Sequence, residues 1–423
     1  MLSSGSGCRQ SESTSPTGAK PPAVSANDQS RRNSNLLSEA SGIGGSRRNR
    51  LILINLGSLF AQVVQVAGYP TLLALALARV DYPSWLIGAV LTCQWAVVLI
   101  SAPLVPKLMD RIGLQAASQT GSIISAASLA VLLFSSSATA VVTSALLMGV
   151  GLTIRWVACD TWIVQAVEER SRGRAIGIHE TLMGLGIAIG PLLTMLSDGN
   201  ETAALLAYVT LMALSVACFA FGSPVANDRD SGEEGSGGLF GLVLRLLVLA
   251  LVAALAAGYV ETAIVSLLPL YLISFHYPEA QSLALLSVFG LGGTVLQTPL
   301  GWIADKWSFR AAQILCILLI ITGGLLLIAM IGSLWAVAAI LFVWGGCIGG
   351  LNTLAVIEAG STLRGSASGT GMALIASSYT LGGVIGPIAS GATLSLASGH
   401  GAILTIITIM LAYAIALLAA GRK

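Results

Sequence analysis

Glu261 stands in the stretch AAGYVETA, Ala256 to Ala263, within an apolar run from Leu239 to Leu272. Keeping a carboxylate ionised in hydrocarbon costs several kcal/mol, so a chain that retains one there uses it or pairs it. Two further clusters carry titratable groups in comparable surroundings: Arg155 with Cys159 and Asp160, and His179 beside Glu180. Inside a membrane such groups take up and release protons or recognise a charged solute. Each also has a plainer reading. Glu261 can belong to a buried pair that holds helices together, Arg155 can pair with Glu180 or Asp160, and His179-Glu180 can be interfacial, since RGR (Arg172 to Arg174) lies close by.

Asn55, Gln62, Gln65 and Tyr69 recur at spacings of seven, three and four, roughly one face of a helix. That polar face either forms hydrogen bonds between helices or lines a solute cavity. Tyr259, Thr262 and Ser266 are near enough to Glu261 on one helix to add hydrogen bonds. No other chemistry is prepared. The six cysteines are scattered without CxxC spacing, the three histidines are dispersed, and no Gly-Lys pair exists to build a P-loop. The expectation is therefore no enzyme, no metal, no cofactor and no nucleic-acid partner.

The elements that must position these residues are helices crossing a bilayer. The chain is 55% hydrophobic and 9% charged, with a mean hydropathy of +0.86, far from soluble globular composition. Its apolar stretches reach the roughly 20 residues a helix needs to cross about 30 Å of hydrocarbon. The alternation of a membrane barrel is missing. Twelve spans are expected: 51–77, 84–106, 114–135, 139–163, 173–197, 202–222, 241–274, 281–303, 311–332, 335–357, 366–396 and 401–420. The first 48 residues, rich in Ser, Gly, Asn and Arg, read as a disordered cytoplasmic tail without a secretory apolar segment. SPVANDRDSGEEGSGG, Ser223 to Gly238, reads as a linker between two halves, 49–222 and 241–423, with the linker taken as 223–240.

Of 21 Lys and Arg, only Arg79 falls in a loop opposite the tail and only Arg155 well inside a span. The other 19 share one side, which the positive-inside rule assigns to the cytoplasm together with both termini.

The halves also echo one another. AGYP (Ala67 to Pro70) matches AGYV (Ala257 to Val260), DYP (Asp81 to Pro83) matches HYP (His276 to Pro278), and PKLMDR (Pro106 to Arg111) matches GWIADK (Gly301 to Lys306). RGRAIG (Arg172 to Gly177) matches RGSASG (Arg364 to Gly369), and IGP recurs at Ile189 and Ile385. All five offsets lie between 190 and 196, and six spans per copy give both copies one orientation. Glu261 aligns with Thr71, so it lies outside the duplicated scaffold.

On these motifs, across about residues 50 to 420, the chain resembles the major facilitator superfamily. The carrier is the loop signature Gly-x-x-x-Asp-Arg/Lys-x-Gly, here PKLMDRIG and GWIADKW, with Pro106 replacing the first glycine and Trp307-Ser308 replacing the second copy's continuation. The resemblance implies an all-α integral membrane fold of twelve transmembrane helices in two parallel six-helix repeats. It makes Asp110, Arg111, Gly113, Gly301, Asp305 and Lys306 a conformational switch loop and lets the first and seventh spans line a central cavity. GLGIAIGP and LGGVIGP supply Gly186, Gly190, Pro191, Gly386 and Pro387 for close helix packing between halves. The first also resembles the antiporter motif, incompletely, because Leu192 and Leu193 follow. In such antiporters an Arg at the place of Arg155 tunes the proton affinity of a neighbouring carboxylate.

The function so implied is secondary transport of a small organic solute by alternating access, proton-coupled, with efflux antiport preferred over symport or facilitated diffusion. The partners are solute, proton and lipid bilayer, for a monomer of the plasma (inner) membrane. The rival is a non-transporting sensor or assembly factor on the same scaffold. One consequence is directly measurable. A cysteine placed in the Ser223 to Gly238 linker is expected to be shielded from an impermeant thiol reagent in intact cells, and extracellular labelling would contradict the span count.

Overall fold

The computed structural model describes residues 49–167, 169–222, 243–363 and 366–420. The expected tail, the linker 223–240 and Arg422-Lys423 lie outside the described residues. Twelve helices are long and apolar enough to cross a membrane. In order they are α1 (Asn49–Arg79), α2 (Ser84–Ile112), α3 (Leu114–Phe134), α4 (Ala138–Ala166), α5 (Ala175–Leu196) and α6 (Glu201–Phe221), followed by α7 (Val248–Ser274), α8 (Glu279–Ala304), α9 (Phe309–Ala329), α10 (Leu334–Ala359), α11 (Thr370–Thr393) and α12 (Gly401–Ala419). Helices satisfy every backbone N–H and C=O within one segment, which hydrocarbon requires. Trp302 and Trp307 are exposed at the end that carries the basic loops, and Trp85 and Trp335 at the opposite end, where amphipathic rings suit a membrane–water boundary.

The duplication is visible in the backbone. After α1 the chain passes through Asp81 at φ 60°, and after α7 through His276 at φ 65°. In both turns the following tyrosine N–H reaches back five residues, Tyr82 to the Leu77 carbonyl and Tyr277 to the Leu272 carbonyl, each at 3.1 Å. Pro83 and Pro278 then stand extended as N-caps of the next helix. This left-handed stop followed by proline satisfies the last carbonyls and prevents the helix from continuing.

At the basic end the expected switch loops are wound into helix. Asp110 and Arg111 belong to the helical stretch Val105–Ile112, and Gly301, Asp305 and Lys306 to Glu279–Lys306. The connection shrinks to Gly113, whose φ of 81° makes the whole turn, and to Trp307-Ser308, where Ser308 Oγ accepts from the Ala311 N–H at 3.1 Å and caps α9. Gly301 has open space where a side chain would sit, so close packing does not account for it. The side chain of Asp305 lies outside the described residues.

Packing inside each half follows one scheme. Gly186 and Gly190 of α5 seat on Gln62, Val63 and Gly68 of α1, as Gly382 and Gly386 of α11 seat on Leu255 and Tyr259 of α7. These glycines therefore join helices within a half, which corrects the expectation that they join the halves. Pro191 and Pro387 lie inside their helices, and contacts across halves on these motifs include the Pro387 carbonyl, against which Gly88 of α2 packs without a side chain, and the Val384 carbonyl, which accepts from Thr92 Oγ1 of α2 at 3.0 Å. Gly290 of α8 likewise admits Ile187 and Ala188 of α5.

The end opposite the basic loops is closed. Arg79 Nη2 meets Glu279 at 2.7 Å and Nη1 meets Glu201 at 2.9 Å, joining α1 to α8 and α6. Below them Thr71 Oγ1 donates to the Val265 carbonyl at 3.2 Å, from α1 to α7. In α7, a Cβ at Gly258 would overlap the Tyr379 carbonyl of α11, whereas Gly332 has open space around it. Gly258→Ala is expected to cost about 1–3 kcal/mol by overpacking, read as a lower melting temperature in detergent, while Gly332→Ala leaves melting unchanged. Equal melting of both variants would contradict this packing.

Candidate functional site

A central cavity of about 90 Å³ lies between the two halves. It begins at Glu261, midway along α7, and at Trp95 of α2, and extends toward the basic end past Gln297 of α8, Asn352 of α10 and Glu180 of α5. Glu180 lines this space and is exposed. Two carboxylates, one from each half, thus face one cavity, and among the described residues lining it there is no Lys, Arg or His.

The walls are aromatic and amide. Tyr379 of α11 stands edge-on to Trp95, with centroids 6.2 Å apart, and to Trp156 of α4, at 6.4 Å. Its hydroxyl lies beside the Glu261 carboxyl group. The geometry has a local cause: Gly258 brings the Tyr379 backbone against α7, and Glu261, three residues further and on the same helical face, meets the ring's outer end. Gly290, Gly293, Gly345 and Gly349 line the cavity on the α8–α10 side, where Gly345 lets α10 approach the Phe289 carbonyl of α8 and Gly290 lets α8 approach α5.

Arg155 is almost completely buried beside this cavity. Its Nε donates to Gln65 Oε1 at 2.7 Å and Nη2 to Gln62 Oε1 at 3.1 Å. Gln65 in turn donates to Ser125 Oγ at 2.6 Å, and its carbonyl accepts from Gln94 at 2.7 Å. Neither Glu180 nor Asp160, the carboxylates expected to pair with Arg155, forms its hydrogen bonds. Asp160 instead faces His179 Nε2 at 3.3 Å, and His179 Nδ1 meets Asn55 Oδ1 at 3.1 Å, tying α4, α5 and α1 together near the basic end.

Comparison with known proteins decides the family. The Major Facilitator Superfamily profile matches residues 51–370 and 284–422. The chain belongs to this superfamily. Among similar proteins, an uncharacterized MFS-type transporter of Bacillus subtilis, YfkF, is 23% identical over 58% of this chain, an alignment that takes in 63% of YfkF. YcaD of Salmonella typhimurium, another uncharacterized MFS-type transporter, is 24% identical over 81% of this chain and 88% of its own length. A crystal structure of a point mutant of the nucleoside transporter NupG superposes with a TM-score of 0.73 over 88% of this chain and 98% of that one, at 13% identity. The superfamily fold, multi-pass in the membrane and not enzymatic, is thereby established.

In this superfamily member the polar face expected on α1 divides. Gln62 lines the cavity, whereas Gln65 and Tyr69 turn into the first half, where the Tyr69 hydroxyl meets Ser144 Oγ at 3.1 Å. The cause is a π-helical turn over Val63–Gly68, in which the Tyr69 N–H reaches the Val64 carbonyl. It precedes Pro70, whose missing N–H leaves the ordinary ladder incomplete, and it breaks the 3.6-residue period after Gln62. Of the α7 companions of Glu261, Tyr259, Thr262 and Ser266 are buried away from the cavity, and Thr262 Oγ1 donates to the Gly258 carbonyl at 2.8 Å. Sequence reasoning passed over Trp95, Trp156, Tyr379, Gln297 and Asn352. Gln297 and Asn352 carry the signal that singled out Glu261, a polar group in an apolar run; the aromatic residues carry none.

Gln65→Leu removes both an acceptor of the buried guanidinium and the donor to Ser125. It is expected to lower stability by about 1–3 kcal/mol or more, since a charged group loses a partner. Thermal unfolding of the purified protein checks this, with unchanged melting as the contrary result.

Proposed function

We propose that this superfamily member is a proton-coupled secondary transporter of a small organic solute, working by alternating access and exporting by antiport. The observation that carries the reading is that Glu180 of α5 and Glu261 of α7, from opposite halves, face one central cavity. When residues 49–222 rock against 241–423, the separation and solvent access of the two carboxylates change together, which couples their proton occupancy to the direction in which the cavity opens. The positive-inside pattern supports an orientation in the plasma (inner) membrane with the basic end and both termini on the cytoplasmic side. On that orientation the cavity extends toward the cytoplasm, and the Arg79–Glu279 and Arg79–Glu201 pairs close the outer end. Asp110, Arg111 and Lys306 belong to the opposing gate, formed when the inner end closes. Arg155 acts from behind Gln62, holding that cavity amide in place. The working unit is a monomer.

A nucleoside, the solute named for NupG, is a second reading. The amides of Gln62, Gln297 and Asn352 beside flat aromatic rings favour it, because they can pair with base edges and sugar hydroxyls.

Glu261→Gln keeps the shape and hydrogen-bonding capacity of the side chain while removing its proton exchange. In proteoliposomes it is expected to exchange solute down a gradient yet to lose accumulation driven by a pH difference, with normal insertion and melting. Stable protein that still accumulates solute in response to pH would remove Glu261 from the coupling role. Loss of folding would instead assign it to a structural pair, whose breakage costs about 3–5 kcal/mol.

A further inference from the structure

We propose that the central cavity takes a compact organic cation, with a quaternary or protonated ammonium as the recognised group. This deepens the transporter reading and rests on it for the site's role. The cavity wall carries two carboxylates and, among its described residues, no basic side chain. Glu261 is approached by Glu180 from α5 and by the Tyr379 hydroxyl from α11, while the guanidinium of Arg155 is directed to the amides of Gln62 and Gln65. With a neutral solute the two carboxylates relieve their like-charge repulsion only by taking up a proton, whereas a cation neutralises one of them directly.

The aromatic wall supplies what the carboxylates cannot, a surface for a cation that has no N–H to donate. The ring planes of Trp95 and Trp156 each stand steeply inclined to that of Tyr379, at 70° and 79°, so neither tryptophan stacks flat on the tyrosine. All three line the cavity that holds Glu261. Ring faces attract ammonium groups through their quadrupole, tryptophan most strongly. Rings from both halves, Trp95 and Trp156 from the first and Tyr379 from the second, are needed to complete the wall. The site therefore exists only while the halves are closed on one another at this level. A proton on Glu261 and a cation beside it compete for the same negative charge, which is the requirement for exchange of one against the other.

The test uses the full-length protein in detergent at pH 8, with choline as probe and 3,3-dimethylbutan-1-ol, its neutral isostere, as control. Calorimetry is expected to show saturable choline binding at least 10-fold tighter than that of the isostere. Trp156→Leu is expected to weaken it about 2- to 30-fold, and Glu261→Gln to weaken it as well. Trp335→Leu, exposed at the outer end of α10, should leave it unchanged. If Trp156→Leu fails to fold, Trp156→Phe, which keeps a ring face, should bind choline more weakly than wild type but more tightly than the isostere. Equal affinity for choline and the isostere, or no choline binding at millimolar concentration, overturns the proposal. Uridine flux driven by a pH gradient without choline binding would overturn the cation site and leave the transporter reading standing. Choline binding with the expected variant pattern but no flux would retain the site and remove the transporter reading.

Discussion

Gly258 and the Tyr379 carbonyl stand against one another because α7 presents no side chain at that point. In lipid, apolar side chains gain little by leaving their surroundings for one another, so helices associate where small residues allow backbones to touch. The same kind of contact recurs at Gly190 on Gly68, Gly386 on Tyr259 and Gly88 on Pro387. These approaches set how each helix is rotated about its axis, and that rotation settles which residues reach the centre. Glu261 meets the Tyr379 hydroxyl because Gly258, one turn earlier, has already set the distance between α7 and α11.

The two halves share this scaffold and differ in what they hang on it. Thr71 and Glu261 occupy equivalent places, yet Thr71 donates to α7 across the closed outer end while Glu261 faces the cavity. The first half buries a guanidinium and surrounds it with Gln62, Gln65 and, beyond them, Ser125 and Gln94. Such a network ties the amides to the cation through Nε and Nη2 and leaves Nη1 without a hydrogen bond among the described residues, so its members are coupled, and a buried charge with amide partners is costly to disturb. The second half contributes most of the glycine wall and the tyrosine. The cavity is thus assembled from unlike surfaces brought together by like frameworks.

Closure at one end and space toward the other follow from the loops. Arg79, the single basic residue among the outer loops, reaches two carboxylates at once. Each pair is partly exposed and worth only a fraction of a kcal/mol to about 1 kcal/mol. Contacts of that size suit an end that must open, whereas the glycine contacts beneath it resist displacement.

Twelve spans, the side shared by the basic residues and the parallel duplication were legible from the sequence alone, because each depends on local hydropathy, on charge in connecting loops or on a repeat period. Glu261, Glu180 and Gln62 also stood out, as polar groups in apolar surroundings, and the structure brings those three to one cavity. Only the tertiary structure separated Gln62 from Gln65 and Tyr69, since the π-helical turn at Val63–Gly68 shifts the face that a regular period predicts. It alone turned Tyr259, Thr262 and Ser266 away from Glu261's cavity and brought in Trp95, Trp156 and Tyr379, which sequence does not distinguish from ordinary apolar residues. The physical reason is common to all of them. Hydropathy decides that a helix crosses the membrane, but its rotation and partners are decided by backbone contacts between residues up to nearly 300 positions apart, such as Gly88 and Pro387.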